Sequence, residues 1–190
     1  MFARTPRLLL RPGWPEDAAA LHAAIADESI VRNLATAPWP YAPDDARAFL
    51  ARHRDPRLPA FLIFKRTLGT PHLVGGCGIG TREDGRLELG YWIARPYWGL
   101  GFATEAAGAL MQAARAAGLR HVNAAHFIDN PASGRVIRKL GFRPVGQPAM
   151  RYSRGRGRAD LCQSYEDGEE SAMRDDIAME LYADMEPLAA

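Results

Sequence analysis

The chain has 190 residues, of which 47% are hydrophobic and 24% are charged. This composition is typical of a globular protein and the length suits one domain with a sizeable core, so we predict a single domain over residues 1–190. The formal net charge of +2 gives no reason to expect nucleic acid or a membrane as a partner. Two cysteines, Cys77 and Cys162, are too few for a disulfide framework or a zinc site. No segment resembles a signal peptide or a membrane span, so we expect a cytoplasmic protein without a bound metal.

The N-terminal part predicts a strand followed by two helices. Residues 7–11 form a short apolar run that Pro-Gly ends, which is typical of a strand. A proline and two acidic residues then begin a stretch with apolar residues at helical spacing, which predicts a helix over 15–27. Similar start signals predict a second helix from residue 43. The proline-rich loop between the helices carries Trp39 and Tyr41, which either wall an acceptor pocket or pack the loop.

The middle of the chain predicts three strands. Apolar runs at 61–64 and 72–80 are separated by Gly-Thr-Pro, as in a hairpin. A third strand at 87–94 has a period of two, so that Glu88 and Trp92 share one face. Its other face consists of Leu87, Leu89, Tyr91 and Ile93.

The remaining elements alternate between helices and strands. An alanine-rich stretch predicts a helix over 103–117, followed by a strand over 121–127 and a helix over 130–140. Two closing strands are predicted at 142–152 and at 177–182. The arginine- and glycine-rich, then acidic, residues between them are interpreted as a solvated loop (153–176). The total is about seven strands and four helices.

Gly99 and Gly101 lie between a predicted strand and a predicted helix. Backbone N–H groups and the positive end of the helix dipole converge at such a turn, which favours a phosphate-bearing ligand, although a tight turn alone also requires glycine. A dinucleotide loop would have a third glycine where Thr104 stands and an acidic residue at the end of the next strand, and residues 120–128 contain none. A P-loop would need Gly-Lys-Ser/Thr, which does not occur.

The segment Trp98-Gly99-Leu100-Gly101-Phe102-Ala103 resembles the coenzyme A loop of the GNAT acetyltransferases, Arg/Gln-x-x-Gly-x-Gly/Ala. Trp98 departs from the first position, as is common in the RimJ/RimL-like branch. Members of that branch often have the sequence Tyr-Trp-Gly-x-Gly-x-Ala-Thr-Glu-Ala, which residues 97–106 match. A second block, from Asn130 through Ser133 to Phe142, resembles the family's Asn-x-x-Ser…Lys/Arg-x-Gly-Phe. The resemblance covers roughly residues 5–152. It implies an α/β (α+β) GNAT fold with a mixed, mostly antiparallel sheet that splays apart where acetyl-coenzyme A enters.

The resemblance also implies a set of cofactor contacts. The pantetheine arm would pair with the backbone of Trp92, Ile93 and Ala94. Asn130 would bond this arm or serve as the N-cap of its helix, and Ser133 would approach the thiol or lie on the helix surface. The pyrophosphate would lie on the loop residues Gly99, Leu100, Gly101, Phe102, Ala103 and Thr104.

Transfer to an amine requires a base, because a protonated nitrogen has no lone pair. Glu88 is the first candidate and His126 the second, against the alternatives of a half-exposed strand glutamate and a packed histidine. Ser133 would protonate the leaving thiolate. Tyr152 and Arg151 are further candidates for the acceptor pocket, which they would approach from the other side. Neither cysteine lies in a motif, so we expect direct attack in a ternary complex.

We therefore expect an N-acetyltransferase that uses acetyl-coenzyme A, as a monomer or homodimer. The acceptor is a primary amine, either a protein N-terminus or a small molecule. Two alternatives stay open: a catalytically silent acyl-coenzyme A sensor of the same fold, and a non-enzymatic interaction domain whose glycine loop is only a turn.

Overall fold

One sheet contains all the strands of residues 1–53 and 55–168, which are the residues that the computed structural model describes. The strands are β1 (Ala3–Arg4), β2 (Leu8–Arg11), β3 (Ala60–Lys65), β4 (His72–Thr81), β5 (Leu87–Ile93), β6 (Asn123–Phe127), β7 (Phe142–Ser153) and β8 (Arg158–Asp167). The helices are α1 (Ala18–Ile25), α2 (Glu28–Val31), α3 (Pro43–Ala51), α4 (Phe102–Ala116) and α5 (Pro131–Lys139). None of these helices is long and apolar enough to cross a membrane.

The strand order is β1-β2-β3-β4-β5-β6-β8-β7. Every neighbouring pair is antiparallel except β5 and β6, which are parallel. The predicted mixed, mostly antiparallel sheet is therefore confirmed. The sequence predicts about seven strands and four helices, of which six strands and the four helices fall within the described residues. These residues contain eight strands and five helices, because β1 and α2 are too short to give a periodic pattern and the sequence of β8 predicts part of a loop.

The interpretation of residues 153–176 as a solvated loop is wrong for its first part. The arginine- and glycine-rich stretch is a tight turn, and residues 158–167 form β8 between β6 and β7. Cys162 and Tyr165 are buried, but the charged residues around them interrupt the apolar alternation that would predict a strand. The strand predicted at 177–182 lies outside the described residues.

Apolar residues on the two faces of the sheet form two separate clusters. On β3, Phe61 and Ile63 pack against α4 and α5, while Leu62 and Phe64 pack against α1, α2 and α3. On β5, Leu89 and Ile93 belong to the first cluster and Trp92 packs against the second. The predicted period of two in this strand is confirmed, because side chains alternate between the faces of a sheet.

The sheet opens between β5 and β6. These strands pair at two positions only, Glu88 with Asn123 and Leu89 with Ala124. Beyond them, β5 continues along β4 as far as Ile93, while β6 follows β8. The predicted splaying is confirmed, and the opening leads toward the start of α4.

Candidate functional site

The glycine turn before α4 has the geometry of an anion-binding loop. Gly99 and Gly101 have φ angles of +76° and +81°, in the left-handed region that favours glycine. Gly101 is the N-cap residue of α4, and no side chain caps the helix. The N–H groups of the first helical turn therefore have no acceptor within the helix and point outward, together with its positive end.

A hydrogen-bond network from the turn between β1 and β2 braces the glycine turn. Arg7 Nη1 donates to the carbonyl of Leu100 at 2.9 Å, and Arg7 Nε donates to Glu105 Oε2 at 2.7 Å. Thr5 Oγ1 donates to Glu105 Oε1 at 2.6 Å. Burial raises the pKa of Glu105, but the hydrogen bonds from Thr5 and Arg7 outweigh it and hold the pKa below its usual value. Sequence reasoning missed this network because the partners are about 100 residues apart.

Trp98, which departs from the family's usual Arg or Gln, connects the turn to β5. Its Nε1 donates to the carbonyl of Ile93 at 2.6 Å. The backbone N–H group of Ala94 donates to the carbonyl of Val74, in β4, at 2.8 Å. Because backbone groups alternate in direction along a strand, the polar groups of Tyr91 and Ile93 face the opening, whereas those of Trp92 face β4.

On the α4 and α5 side of the opening, β5 is joined to α5 by two hydroxyl groups. Tyr91 Oη lies 2.8 Å from Ser133 Oγ and donates to the Ser133 carbonyl at 3.1 Å. Asn130 Oδ1 accepts from Ser133 N at 3.3 Å, which is N-cap geometry and leaves the Nδ2 group for another partner. Burial raises the pKa of Tyr91 to about 12, despite the hydrogen bond with Ser133. The tyrosine is therefore protonated at neutral pH.

Sequence reasoning placed Tyr91 on the same face of β5 as Leu89 and Ile93 and missed its place in the site. The assignment to that face is correct, but the core face of β5 becomes a wall of the opening beyond Leu89. No local pattern marks the point where two strands separate.

On the opposite face, two arginines hold the carboxylate of Glu88. Arg151 binds it with both ends of its guanidinium, from Nη2 to Oε1 at 2.7 Å and from Nη1 to Oε2 at 2.9 Å. Arg82 Nη1 also donates to Oε2 at 2.9 Å. Burial lowers the pKa of Arg151, but the bonds to Glu88 outweigh it and raise the pKa above its usual value.

These two faces meet in one cleft at the opening. Of the predicted catalytic residues, Glu88, His126 and Ser133 all contribute to its wall. The cleft is also lined by Leu34, Ala35, Leu89, Gly90, Tyr91, Ala125, Phe127, Arg151 and Cys162. Burial raises the pKa of the Cys162 thiol, which disfavours the thiolate that a nucleophile needs.

His126 is held by both ring nitrogens. Nδ1 lies 2.8 Å from the carbonyl of Phe127, to which it donates, and Nε2 lies 3.1 Å from Tyr165 Oη. Arg138 donates to the same Oη at 3.0 Å. A Cβ atom on Gly134 would lie 2.5 Å from Nε2, so this glycine lets α5 cover the ring. This enclosure favours the packed-histidine interpretation, and the base assignment stays a prediction.

The three aromatic residues predicted for the acceptor pocket do not line this cleft. Trp39 is 40% exposed, whereas Tyr41 is 7% exposed and packs in the cluster around α1 and α3. Tyr152 is 61% exposed. It neighbours Arg151 along β7, so alternation points it to the opposite face of the sheet.

Known proteins resemble this chain in sequence and in fold. The sequence pattern of the acetyltransferase (GNAT) domain matches residues 7–143. The chain is 30% identical over 150 residues to the uncharacterized N-acetyltransferase YoaA of Bacillus subtilis (strain 168), a match that covers 75% of this chain and 82% of that protein.

Two solved structures extend the likeness. An acetyltransferase (GNAT family) from Bacillus anthracis has a TM-score of 0.75 and 24% identity, over 90% of this chain and 99% of that one. RimL, the ribosomal L7/L12 alpha-N-protein acetyltransferase in complex with coenzyme A, has a TM-score of 0.71 and 21% identity, over 87% of this chain and 97% of that one. At these identities the structures show a shared fold alone. The domain match over residues 7–143, with the predicted motifs inside it, shows that this chain belongs to the GNAT family of acetyltransferases.

Proposed function

We propose that this protein transfers the acetyl group of acetyl-coenzyme A to a primary amine by direct attack in a ternary complex. The observation that carries the proposal is the opening between β5 and β6. The uncapped N-terminus of α4 lies at its end, a hydroxyl pair lies on one face and a carboxylate lies on the other. Membership of the GNAT family supports acetyl transfer in general.

The residues around the turn fit the coenzyme. A Cβ atom on Gly99 would meet no other atom within 4 Å, so there is open space for a pyrophosphate beside the backbone N–H groups. Residues 99–104 would hold this group, and Asn130 Nδ2 would bond the pantetheine arm. The backbone of Tyr91 and the N–H group of Ile93 would pair with the arm in place of the predicted Trp92 and Ala94, which face β4. RimL, which has the same fold, is known in complex with coenzyme A, and this supports the assignment.

The mechanism assigns one proton transfer to each face. Glu88 accepts a proton from the acceptor ammonium, directly or through a water molecule, which restores the nitrogen lone pair. The nitrogen forms a bond to the thioester carbon, whose oxygen is polarised by main-chain N–H groups of β5. The carbon–sulfur bond then breaks, and the second amine proton replaces the one that Ser133 gives to the sulfur. Tyr91, at 2.8 Å from Ser133 Oγ, supports this transfer.

The acceptor is a protein N-terminus or a small-molecule amine. A catalytically silent acyl-coenzyme A sensor is the second candidate, and the two arginines on Glu88 favour it because they occupy the proposed base. A thiol-release assay against amines and N-terminal peptides separates the two functions. Release that depends on an acceptor supports the enzyme, whereas coenzyme binding without release from any acceptor supports the sensor.

A thermal shift experiment tests the cofactor site. Coenzyme A at 100 times its Kd should stabilise the wild-type protein by about 2.7 kcal/mol and raise its Tm. Gly101→Val should abolish this rise, because φ is +81° and a Cβ atom there would lie 3.4 Å from Arg7 Nη2, which braces the loop that we propose for the phosphate. Gly85→Val is the matched control, because Gly85 has φ +80° in the β4–β5 turn, and it should keep the rise. If the wild type shows no rise, the proposed function is lost.

A further inference from the structure

Glu88 and Arg151 form a closed ion pair on the side of the opening away from Tyr91 and Ser133. The Glu88 and Arg151 side chains are 18% and 25% exposed, so the pair is reachable from the cleft that it lines. Three hydrogen bonds from two guanidinium groups reach the carboxylate. A carboxylate bound in this way is poorly placed to accept a proton from an amine, because its lone pairs are already directed at donors.

The charges around this pair are unbalanced. Arg82 and Arg151 both bind the carboxylate of Glu88. Arg82 also lies 3.6 Å from Asp84, but Arg86 shares that carboxylate at 3.8 Å, so three guanidinium groups face two carboxylates. Asp160 is directly opposite Arg151 in the register of β7 and β8. It is already bound by Arg156 at 2.8 Å and by Arg158 at 3.1 Å. Within residues 1–53 and 55–168, the carboxylate hydrogen bonds of Arg151 all go to Glu88.

We propose that the acceptor amine carries a carboxylate close to its nitrogen, and that Arg151 exchanges Glu88 for this carboxylate when the acceptor binds. The inference rests on the proposed acetyl transfer and names its substrate class. Glu88 itself shows the geometry that Arg151 offers, a two-pronged contact that matches a planar carboxylate.

The exchange leaves no charge unpaired. Glu88 keeps its hydrogen bond from Arg82, while Arg151 gains the carboxylate of the acceptor. This matters because a buried charge without a partner is costly. The exchange also frees Oε1 of Glu88, which then accepts one proton from the acceptor ammonium. Arg151 is thus a specificity residue whose movement makes the base available, and an acceptor without a carboxylate leaves the base occupied.

Matched pairs of acceptors test the proposal. One pair is a peptide amide that begins Ala-Asp and its counterpart that begins Ala-Asn, and the other is alanine and alaninamide. We expect the acidic member of at least one pair to have a kcat/KM in thiol release about tenfold or more above that of its amide, as for a charge-assisted hydrogen bond. The same preference is expected in the calorimetric Kd for the protein loaded with coenzyme A, which needs no turnover. The proposal is overturned if the kcat/KM and Kd values are equal within both pairs, or if none of the four acceptors binds.

Two variants test whether Arg151 causes the preference for an acceptor with a carboxylate. Arg151→Gln should bring the ratio of acid to amide close to one, while stabilisation by coenzyme A persists. Arg158→Gln is the matched control, because this arginine is 69% exposed and belongs to the same hairpin, and it should keep the ratio. A ratio that survives Arg151→Gln contradicts the proposal. Should Arg151→Gln fail to fold, Glu88→Gln/Arg151→Gln removes both charges together. Because it also removes the proposed base, its acid-to-amide ratio is measured in the calorimetric Kd, where the ratio should likewise fall close to one.

The failure of this inference is distinct from failure of the proposed function. Stabilisation by coenzyme A together with acid-to-amide ratios near one rejects the carboxylate acceptor alone. Absence of stabilisation by coenzyme A rejects both.

Discussion

At the scale of single residues, Tyr91 combines two environments. Its ring extends the apolar face of β5 that packs against α4, and its hydroxyl lies 2.8 Å from Ser133 Oγ at the opening. Burial raises its pKa to about 12, so the hydroxyl keeps its proton at neutral pH. Because this proton is donated to the Ser133 carbonyl, the Tyr91 oxygen accepts from Ser133 Oγ and orients the hydroxyl that we propose as the proton donor to the leaving thiolate.

We expect Tyr91→Phe to lower kcat by about 10- to 100-fold with little change in the KM for acetyl-coenzyme A, because proton transfer acts in the transition state. The smaller, 10-fold decrease is expected if a water molecule replaces the Tyr91 hydroxyl beside Ser133. Steady-state thiol release measures both constants. A rise in KM at unchanged kcat would instead assign Tyr91 to coenzyme binding.

At the scale of elements, Glu105 attaches the first turn of α4 to the N-terminal strands. Its carboxylate accepts hydrogen bonds from Thr5, from Arg7 N at 3.0 Å and from Arg7 Nε. The same arginine holds the carbonyl of Leu100, so one ion pair positions both the helix and the glycine turn. The side chain of Glu105 is 15% exposed and that of Arg7 is 51% exposed, so solvent weakens the pair.

Glu105→Gln should lower the free energy of unfolding by about 1–2 kcal/mol at neutral pH. The pKa of Glu105 is lowered in the folded protein, so its stabilisation is present above the ordinary glutamate pKa and is lost as the pH falls below it. The difference between wild type and variant should therefore shrink at about pH 3.5. Urea unfolding at both pH values measures it. A difference that does not depend on pH would show that the charge is unimportant.

At the scale of the whole molecule, Arg156 connects three distant segments. Its side chain is 4% exposed and pairs with Asp129 at 2.7 Å, in the turn before α5. Arg156 Nε donates to the carbonyl of Arg32, at the end of α2, at 2.6 Å. Ser153 Oγ adds a bond to the Leu34 carbonyl at 2.7 Å. The β7–β8 hairpin thus holds α2 and the start of α5 on either side of the cleft.

Arg156→Met should lower the free energy of unfolding by about 1.5–3 kcal/mol, because it removes a buried guanidinium that bonds Asp129 and the Arg32 carbonyl. Asp129 keeps its pair with Arg32, and Asp160 keeps its pair with Arg158. The exposed Arg158, which contacts the same Asp160, provides the control, and Arg158→Met should cost less than about 1 kcal/mol. Urea midpoints compare the two variants. Equal losses would mean that burial of Arg156 adds nothing.

Local patterns determined much of this protein. The apolar period of β5, the alanine-rich α4 and the glycine turn each depend on residues that are neighbours in the chain, and they predicted these elements. The resemblance carried by the glycine turn then implied the family and its mixed sheet. The Asn130 to Phe142 block is equally local. The roles of individual residues in the site were implied by the resemblance, and they stay predictions.

The tertiary structure alone decided which side chains meet. Glu88 and Arg151 are 63 residues apart, and their pairing arises because β7 packs beside β8 at the opening. The structure likewise shows that part of the predicted loop is β8. It also shows that one face of β5 both packs in the core and lines the cleft. Such contacts depend on where strands separate and which distant charges remain to be paired. No periodicity encodes either property, because both are set by the packing of the whole sheet.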